Sequence, residues 1–231
     1  MTDRLEQLLT DPVSGLRYRV RPGQHQGPCL ILLHGVGASE AGFIDLARQL
    51  DPRLTVVLAR GPLELGPGQY GWFRVGFTPT GPVIDAAQAE QARVTLLRLI
   101  GQLPQAQGID PARLWIAGFS QGGIMSASVA LTAPQQVAGF GILSGRILAE
   151  VLPAVQPGAA LTGLRAFVSH GVQDPVLGVH FARAARDVLQ GLGVPSQYQE
   201  YDAGHTLSAA MVADFNAWLA VRLDQAGAAA N

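Results

Sequence analysis

The chain has 231 residues, of which 48% are hydrophobic and 14% are charged, and its formal net charge at pH 7 is −1. This length and composition predict one globular domain over residues 1–231 with a substantial core. The near-neutral charge, without any block of basic residues, argues against a nucleic-acid partner and against an anionic membrane surface, so we expect the partner to be a small molecule.

Residue types that the chain lacks exclude several mechanisms. All 16 basic residues are arginine, which removes a Schiff-base lysine, a pyridoxal phosphate anchor, a Ser–Lys dyad and a P-loop lysine. Cys29 is the only cysteine, so neither an intrachain disulfide nor a thiolate-rich metal site can form. Its place at the start of an apolar run is typical of a small core residue. We expect neither a metal nor an organic cofactor.

The N-terminus and the hydropathy pattern predict where the protein resides. Residues 1–4 are polar and no signal-peptide core follows them. No apolar run approaches the ~18 residues that a membrane span requires. We therefore expect a cytoplasmic protein without stable membrane insertion. The sequence leaves a monomer and a homodimer open.

Short apolar runs alternate with longer segments of helical periodicity, which predicts an α/β fold with a mainly parallel central sheet. The predicted strands are, in chain order, residues 16–20, 29–33, 54–58, 114–117, 139–143, 165–169 and 197–201. In such a sheet the functional groups gather at the carboxyl ends of the strands.

Two amphipathic helices stand out between and after these strands. Leu96, Leu99, Ile100 and Leu103 follow helical spacing on a helix that Asp85 is suited to cap. The same spacing recurs near the C-terminus in Met211, Phe215, Trp218 and Leu219. Both stripes are typical of surfaces that face a core. The Ala- and Gly-rich end, residues 223–231, is predicted to be a flexible tail.

The motif Gly118-Phe119-Ser120-Gln121-Gly122 follows the apolar run 114–117 directly. A serine between a buried strand and a helix lies at a sharp elbow, from which its hydroxyl projects toward a substrate. Gly118 and Gly122, two residues away on either side, remove Cβ atoms that would crowd a strained turn. Ser120 is therefore the candidate nucleophile. The alternative is a strand-to-helix turn in which the glycines serve packing alone.

A serine nucleophile needs an imidazole base and a carboxylate that orients it, in the chain order serine, acid, histidine. Asp174 is the best acid, because it follows a predicted strand and Pro175 keeps it out of helical geometry. His180 and His205 are the histidines that follow it. We favour His205 as the base, since it lies in a loop after the last strand, whereas His180 lies early in a helix.

The backbone N–H groups of Gln121 and Val36 are the candidate oxyanion donors. Gln121 opens the helix after the nucleophile, and Val36 lies in the Gly-rich loop after the strand 29–33. We expect His34 to brace that loop rather than to take part in catalysis. The side chain of Gln121 is expected to be secondary.

These motifs together resemble the α/β-hydrolase superfamily, in its branch of small carboxylesterases and acyl-protein thioesterases, the phospholipase/carboxylesterase group. The matching segments are Leu-His-Gly-Val-Gly at 33–37, Gly-Phe-Ser-Gln-Gly-Gly at 118–123, Leu-Ser-Gly at 143–145, His-Gly-Val-Gln-Asp-Pro at 170–175 and Tyr-Asp-Ala-Gly-His at 201–205. The resemblance implies an α/β-hydrolase fold with helices on both sheet faces and no large lid. It also implies Ser120, Asp174 and His205 as the triad, with the amides of Val36 and Gln121 as the oxyanion hole.

The chain departs from this group at Ala38 and Arg74, where related chains often carry aspartate. Both positions flank the substrate region, so they bear on the substrate more than on the reaction type. Nearby, the Gly- and Pro-rich segment 61–84 lacks clear periodicity and contains Trp72, Phe73 and Phe77. These aromatic side chains either cover the core or line an apolar acyl pocket, and we take them as candidate substrate-binding residues.

The sequence thus predicts a serine hydrolase that cleaves carboxylic ester or thioester bonds of small to medium acyl substrates through an acyl-enzyme. Two alternatives remain at this stage. One is an amide or peptide hydrolase with the same triad, and the other is a catalytically silent binding protein with a hydrolase fold.

Overall fold

An eight-stranded, mostly parallel sheet forms the centre of the computed structural model, which describes residues 4–78 and 81–228. The strands are β1 (Leu9–Thr10), β2 (Arg17–Arg21), β3 (Gly27–Leu33), β4 (Thr55–Ala59), β5 (Leu63–Gly66), β6 (Gln69–Gly71), β7 (Val75–Thr78), β8 (Gly81–Ile84), β9 (Ile109–Phe119), β10 (Gly139–Leu143), β11 (Arg165–Gly171) and β12 (Ser196–Tyr201). The α-helices are α1 (Ile44–Gln49), α2 (Ala86–Gln107), α3 (Gln121–Thr132), α4 (Ala159–Gly163), α5 (His180–Gly191) and α6 (Ala209–Ala228).

The central sheet has the order β1-β2-β4-β3-β9-β10-β11-β12. The strands from β4 to β12 in this order are parallel to their neighbours, and β1 and β2 pair antiparallel at one edge. All seven predicted strands lie in this sheet, within a few residues of their predicted ends except for β9, which begins earlier. The carboxyl ends of β3, β9, β10, β11 and β12 therefore meet along one edge, and the loops that follow them are neighbours.

Strand β3 shows why a continuously apolar run is required at the centre of the sheet. All of its residues are buried. Ile31 and Leu33 pack into the hydrophobic cluster on one face of the sheet, and Leu30 and Leu32 pack into the cluster on the other face. Side chains alternate along a strand, so a strand covered on both faces must be apolar at every position. Cys29 belongs to this core, and burial raises the pKa of its thiol.

Helices cover both faces of the sheet, as predicted. The helices α2, α3, α4 and α5 contribute to the first cluster, and α1 and α6 contribute to the second. The two predicted apolar stripes are buried on α2 and α6. Asp85 caps α2, because its side chain accepts a hydrogen bond of 3.0 Å from the backbone N–H of Gln88.

The segment 61–84 is more ordered than its sequence indicated. It contains two antiparallel ribbons, β5 with β6 and β7 with β8, rather than an extended loop without secondary structure. Each ribbon strand has only three or four residues, which is too short for a clear alternation of apolar and polar side chains. The two-residue strand β1 escaped prediction for the same reason.

The C-terminal helix α6 continues to Ala228, so helical structure extends into the segment that was predicted to be a flexible tail.

Between β10 and β11 the chain forms only a short 3₁₀ segment, Ala149–Ala154, and the five-residue helix α4. Among the described residues, no helix is both long enough and apolar enough to cross a membrane.

Candidate active site

Ser120 lies at the turn between β9 and α3, and its backbone is strained. Its φ and ψ angles are 54° and −118°, a conformation that residues with a Cβ rarely adopt. Hydrogen bonds hold the turn on both sides. The Ser120 N–H donates to the Leu143 carbonyl at 2.8 Å, and the Ser120 carbonyl accepts from the Ile124 N–H at 3.1 Å.

The two glycines of the motif allow α3 to approach the sheet closely. A Cβ at Gly118 would collide with the backbone of Gly122, and it would lie 2.7 Å from the Leu33 carbonyl oxygen. A Cβ at Gly122 would collide with the same Leu33 oxygen and would lie 2.8 Å from the His34 oxygen. Both positions therefore exclude every side chain, because real Cβ contacts are longer than these.

Three predicted residues meet in one hydrogen-bonded chain at the carboxyl edge of the sheet. The Nε2 atom of His205 lies 2.9 Å from the Oγ atom of Ser120, and its Nδ1 atom lies 2.6 Å from the Oδ2 atom of Asp174. The imidazole also packs on the Phe119 ring, with 4.9 Å between the ring centroids. His180, the alternative base, is exposed at the start of α5.

The carboxylate of Asp174 is buried and fixed by donors on both of its oxygen atoms. Its Oδ1 atom accepts hydrogen bonds of 2.8 Å from the N–H groups of Val176 and Leu177. Its Oδ2 atom accepts from His205 and also lies 3.2 Å from the Nε2 atom of His170. This local Asx turn satisfies the charge and holds one oxygen toward His205.

His170 contacts Asp174, an interaction that the sequence did not predict. It is fully buried, and its Nε2 atom lies 2.7 Å from the Leu177 carbonyl oxygen. Since a carbonyl oxygen only accepts hydrogen bonds, Nε2 carries the proton and is oriented toward both Leu177 and Asp174. Chain order excluded His170 as the base, but its occurrence in one short motif with Asp174 was a signal for this contact.

His34 braces the loop after β3. Its Nδ1 atom lies 2.8 Å from the Gly35 carbonyl oxygen, and its Nε2 atom accepts a 2.9 Å hydrogen bond from the Gly61 N–H. These partners require a neutral ring with the proton on Nδ1. Burial lowers the pKa of His34, which favours the same neutral form. The geometry agrees with the bracing role expected from the sequence.

The two candidate oxyanion donors lie on the loop after β3 and at the first position of α3. Within residues 4–78 and 81–228, no protein acceptor bonds the N–H of Val36 or of Gln121. Both residues line the cavity that contains Ser120. The loop that carries Val36 is tied to β6, since the Gly37 N–H donates to the Tyr70 carbonyl at 2.8 Å.

The side chain of Gln121 has a larger part in the site than expected. It is buried, its Oε1 atom accepts from the Trp72 N–H at 2.7 Å, and its Nε2 atom donates to the Phe73 carbonyl at 2.7 Å. The amide thus holds the segment after β6 against the start of α3. Its partners lie 49 and 48 residues earlier in the chain, a contact that sequence spacing does not reveal.

A small cavity, about 40 Å³, opens beside Ser120. Its lining consists mainly of apolar side chains and includes one arginine: Val36, Phe73, Val75, Ile84, Ser120, Gln121, Ile124, Arg146, Val176 and Leu177. Among residues 4–78 and 81–228, no group of three or more His, Cys, Asp and Glu side chains is arranged to hold a metal ion.

The structure separates the three aromatic residues that were predicted to bind substrate. Phe73 lines the cavity. Trp72 is not in the lining of this cavity: its ring is buried in the core, and its indole N–H donates to the His34 carbonyl at 2.9 Å. Phe77 lies in β7, but its side chain is outside the described part of the structure.

Comparison with known proteins places this site in a family. The model of the Phospholipase/Carboxylesterase family matches residues 19–223. The chain is 30% identical over 220 residues to acyl-protein thioesterase 1 of Eremothecium gossypii, covering 89% of this chain and 91% of that protein.

Solved structures share the fold at lower sequence identity. A carboxylesterase from Mesorhizobium loti superimposes with a TM-score of 0.79 at 24% identity, covering 93% of this chain and 98% of that one. Acyl-protein thioesterase 2 of Zea mays gives a TM-score of 0.76 at 18% identity, covering 90% and 99%. With the family match spanning most of the sequence, the chain belongs to the phospholipase/carboxylesterase family of α/β hydrolases.

Proposed function

We propose that this chain is a serine hydrolase that cleaves carboxylic ester or thioester bonds of small to medium acyl substrates through an acyl-enzyme. The observation that carries the proposal is the hydrogen-bonded chain from Ser120 through His205 to Asp174 at the edge of an apolar cavity. Membership of the phospholipase/carboxylesterase family supports the same reaction class. The domain works without a metal or an organic cofactor in this proposal.

Acylation begins when Ser120 Oγ attacks the substrate carbonyl carbon while Nε2 of His205 takes the hydroxyl proton. The N–H groups of Val36 and Gln121 stabilise the negative oxygen of the tetrahedral intermediate. Asp174 stabilises the imidazolium. His205 then returns the proton to the departing alkoxide or thiolate, which leaves the acyl group on Ser120. In deacylation a water molecule attacks the acyl carbon while His205 takes its proton. His205 then returns the proton to Ser120 Oγ, and the carboxylic acid is released.

The hydrogen bonds of Asp174 fix the orientation and the tautomer of His205 for proton transfer. Because a carboxylate only accepts hydrogen bonds, Nδ1 of His205 carries a proton and Nε2 is left free to accept the proton of Ser120. The N–H groups of Val176 and Leu177 keep the carboxylate in place, and no movement of the acid is needed during the reaction.

The cavity supports the preference for short to medium acyl groups. Its walls near Ser120 are the side chains of Phe73, Ile84, Ile124 and Leu177. Its volume of about 40 Å³ is small compared with the roughly 300–1,000 Å³ of pockets that hold drug-sized ligands. Long acyl chains would extend beyond it into solvent.

The two alternatives are weaker. A binding protein without activity has no need of three side chains hydrogen-bonded in catalytic order. Amide or peptide hydrolysis would use the same triad, and no feature of the cavity favours an amine leaving group. A homodimer is compatible with this reaction but contributes nothing to it, because the triad comes from one chain.

The first prediction concerns the nucleophile. A fluorophosphonate is expected to label the wild-type protein at Ser120, because an activated hydroxyl attacks phosphorus as it attacks a carbonyl. Ser120→Ala should abolish labelling and lower kcat/KM for 4-nitrophenyl butyrate by on the order of 10³-fold or more. Ser196→Ala, at an exposed serine on β12, is the control and should keep both. Wild-type protein that turns over esters but stays unlabelled would show that the nucleophile is a different group.

The second prediction separates the two histidines that follow Asp174. His205→Ala should lower kcat by on the order of 10³-fold, because the serine hydroxyl loses its base. His180→Ala should keep most of the activity, since this imidazole is exposed on α5. Circular dichroism and thermal unfolding establish that both variants are folded. Equal losses in two folded variants, or the reverse ranking, would mean that His205 is not the base.

The third prediction tests the wall of the acyl pocket with two neighbouring residues on β8. Ile84 lines the cavity, whereas Val83 is 56% exposed. Ile84→Ala should lower kcat/KM for hexanoyl esters relative to acetyl esters by about fourfold for each methylene contact that is lost. Val83→Ala should leave this ratio unchanged. If Ile84→Ala lowers the rates of all chain lengths equally, the acyl chain does not contact this wall.

A further inference from the structure

Arg146 is the charged residue in the lining of the cavity beside Ser120. It lies at the exit of β10, whose last residue, Leu143, accepts the hydrogen bond of the Ser120 N–H. Most of the other residues in this lining, including Phe73, Ile124 and Leu177, are apolar. A cation at this point of an otherwise apolar wall requires an explanation.

The guanidinium of Arg146 has no anionic partner within the described part of the chain. No hydrogen bond or ion pair to it is formed there, and its Nε atom is buried without any acceptor. Glu150 is the carboxylate whose charge reaches it, but the two do not form an ion pair. Burial dominates and lowers the pKa of Arg146, although an arginine still stays charged.

Two other partly buried arginines of this protein are satisfied by a carboxylate. Arg19 and Arg60 both contact the buried carboxylate of Glu40, at distances between 2.6 and 2.9 Å. Arg146 instead lies over the face of the Phe181 ring, 5.0 Å from its centroid. The ring positions the half-buried guanidinium, and the buried Nε–H is left without an acceptor, which is costly.

We propose that Arg146 binds an anionic oxygen of the substrate, from a carboxylate or a phosphate, and makes the enzyme prefer esters that carry a negative charge near the scissile bond. This inference rests on the proposed ester hydrolysis and adds a substrate class to it. The planar fork of arginine matches both anions with two parallel hydrogen bonds. The apolar neighbours in the cavity lining lower the local dielectric, which strengthens such an ion pair relative to one in bulk water.

The two sources of the anion place it on different sides of the bond. A carboxylate at the far end of the acyl group would mark esters of dicarboxylic acids. A phosphate on the alcohol would mark phosphorylated leaving groups. The shared chemistry is an oxyanion within reach of Arg146, and the substrates in the test distinguish the two arrangements.

The test compares kcat/KM for two matched pairs of esters in the wild type and in Arg146→Met, which keeps an apolar stem and removes the charge. The acyl pair is ethyl hydrogen glutarate and ethyl pentanoate. The leaving-group pair is 2-phosphonooxyethyl butyrate and 2-hydroxyethyl butyrate. We expect the ratio of anionic to neutral substrate to fall by about 10- to 100-fold in the variant for one of the pairs. The effect should lie mainly in KM, because the anion is bound before and during the reaction.

Control variants identify the origin of the effect. Arg186 also lies over an aromatic ring, 5.2 Å from the centroid of Tyr198, but it is on the exposed side of α5 and does not line the cavity. Arg186→Met should leave both ratios unchanged. Arg146→Lys keeps the positive charge but cannot form two parallel hydrogen bonds to the anion, so it should give an intermediate ratio. If Arg146→Met does not fold, the wild-type preference for the anionic ester should still weaken as salt is raised from 20 to 500 mM, on the order of several-fold.

The outcomes separate this inference from the proposed function. A ratio that depends on Arg146 in the glutarate pair places the anion on the acyl group, and one in the phosphate pair places it on the leaving group. Equal ratios in the wild type and Arg146→Met for both pairs, with normal hydrolysis of neutral esters, would overturn the role of Arg146 alone. Absence of ester hydrolysis and of fluorophosphonate labelling in the wild type would overturn the hydrolase proposal itself.

Discussion

The close contact between the first turn of α3 and the end of β3 is the constraint on which the site depends. At Gly122 a Cβ would collide with the Leu33 carbonyl, so the helix begins almost in contact with the strand. This contact brings the N–H of Gln121 beside the loop that carries Val36. It also holds Ser120 in a strained backbone conformation at the edge of the sheet, where the residue lines the cavity. The candidate nucleophile and the candidate oxyanion donors are therefore positioned by backbone packing rather than by flexible side chains.

A second layer of hydrogen bonds joins loops that are distant in sequence. Gln121 holds the backbone at Trp72 and Phe73, and the indole of Trp72 holds the His34 carbonyl. His34 in turn binds Gly61. Each bond contributes about 1 kcal/mol, but its loss would leave a buried polar group without a partner, at a further cost of about 1–3 kcal/mol. The network thus keeps the β5–β8 region in register with the elbow.

The sequence was most informative where one local pattern determines the structure. Core strands such as β3 are apolar at every position because both sheet faces are covered, and this makes them visible without any knowledge of partners. The triad candidates followed from a local motif and from chain order, and the geometry brings Ser120, Asp174 and His205 together. Their catalytic roles remain a proposal for the experiments above.

Contacts between segments that are distant in the chain could not be predicted from the sequence. Trp72 and Phe73 are adjacent aromatic residues at the end of a short ribbon, and nothing in their order indicates that only Phe73 lines the cavity. His170 was set aside as a base by chain order, yet its contact with Asp174 depends on how the loop after β11 folds back. Arg146 is one of 16 arginines, and only its place in the cavity distinguishes it.

The site concentrates features that do not favour stability. Ser120 holds a strained backbone, which costs roughly 1–3 kcal/mol, and Arg146 has a buried Nε–H without an acceptor. His170 has a buried Nδ1 atom without a partner in the described structure. Two hydrophobic layers, one on each face of the sheet, supply the stability that tolerates these costs. The strained Ser120 and the unpaired Arg146 line one small cavity, where a substrate with a carbonyl and an anionic oxygen would meet the hydroxyl and pair with the guanidinium.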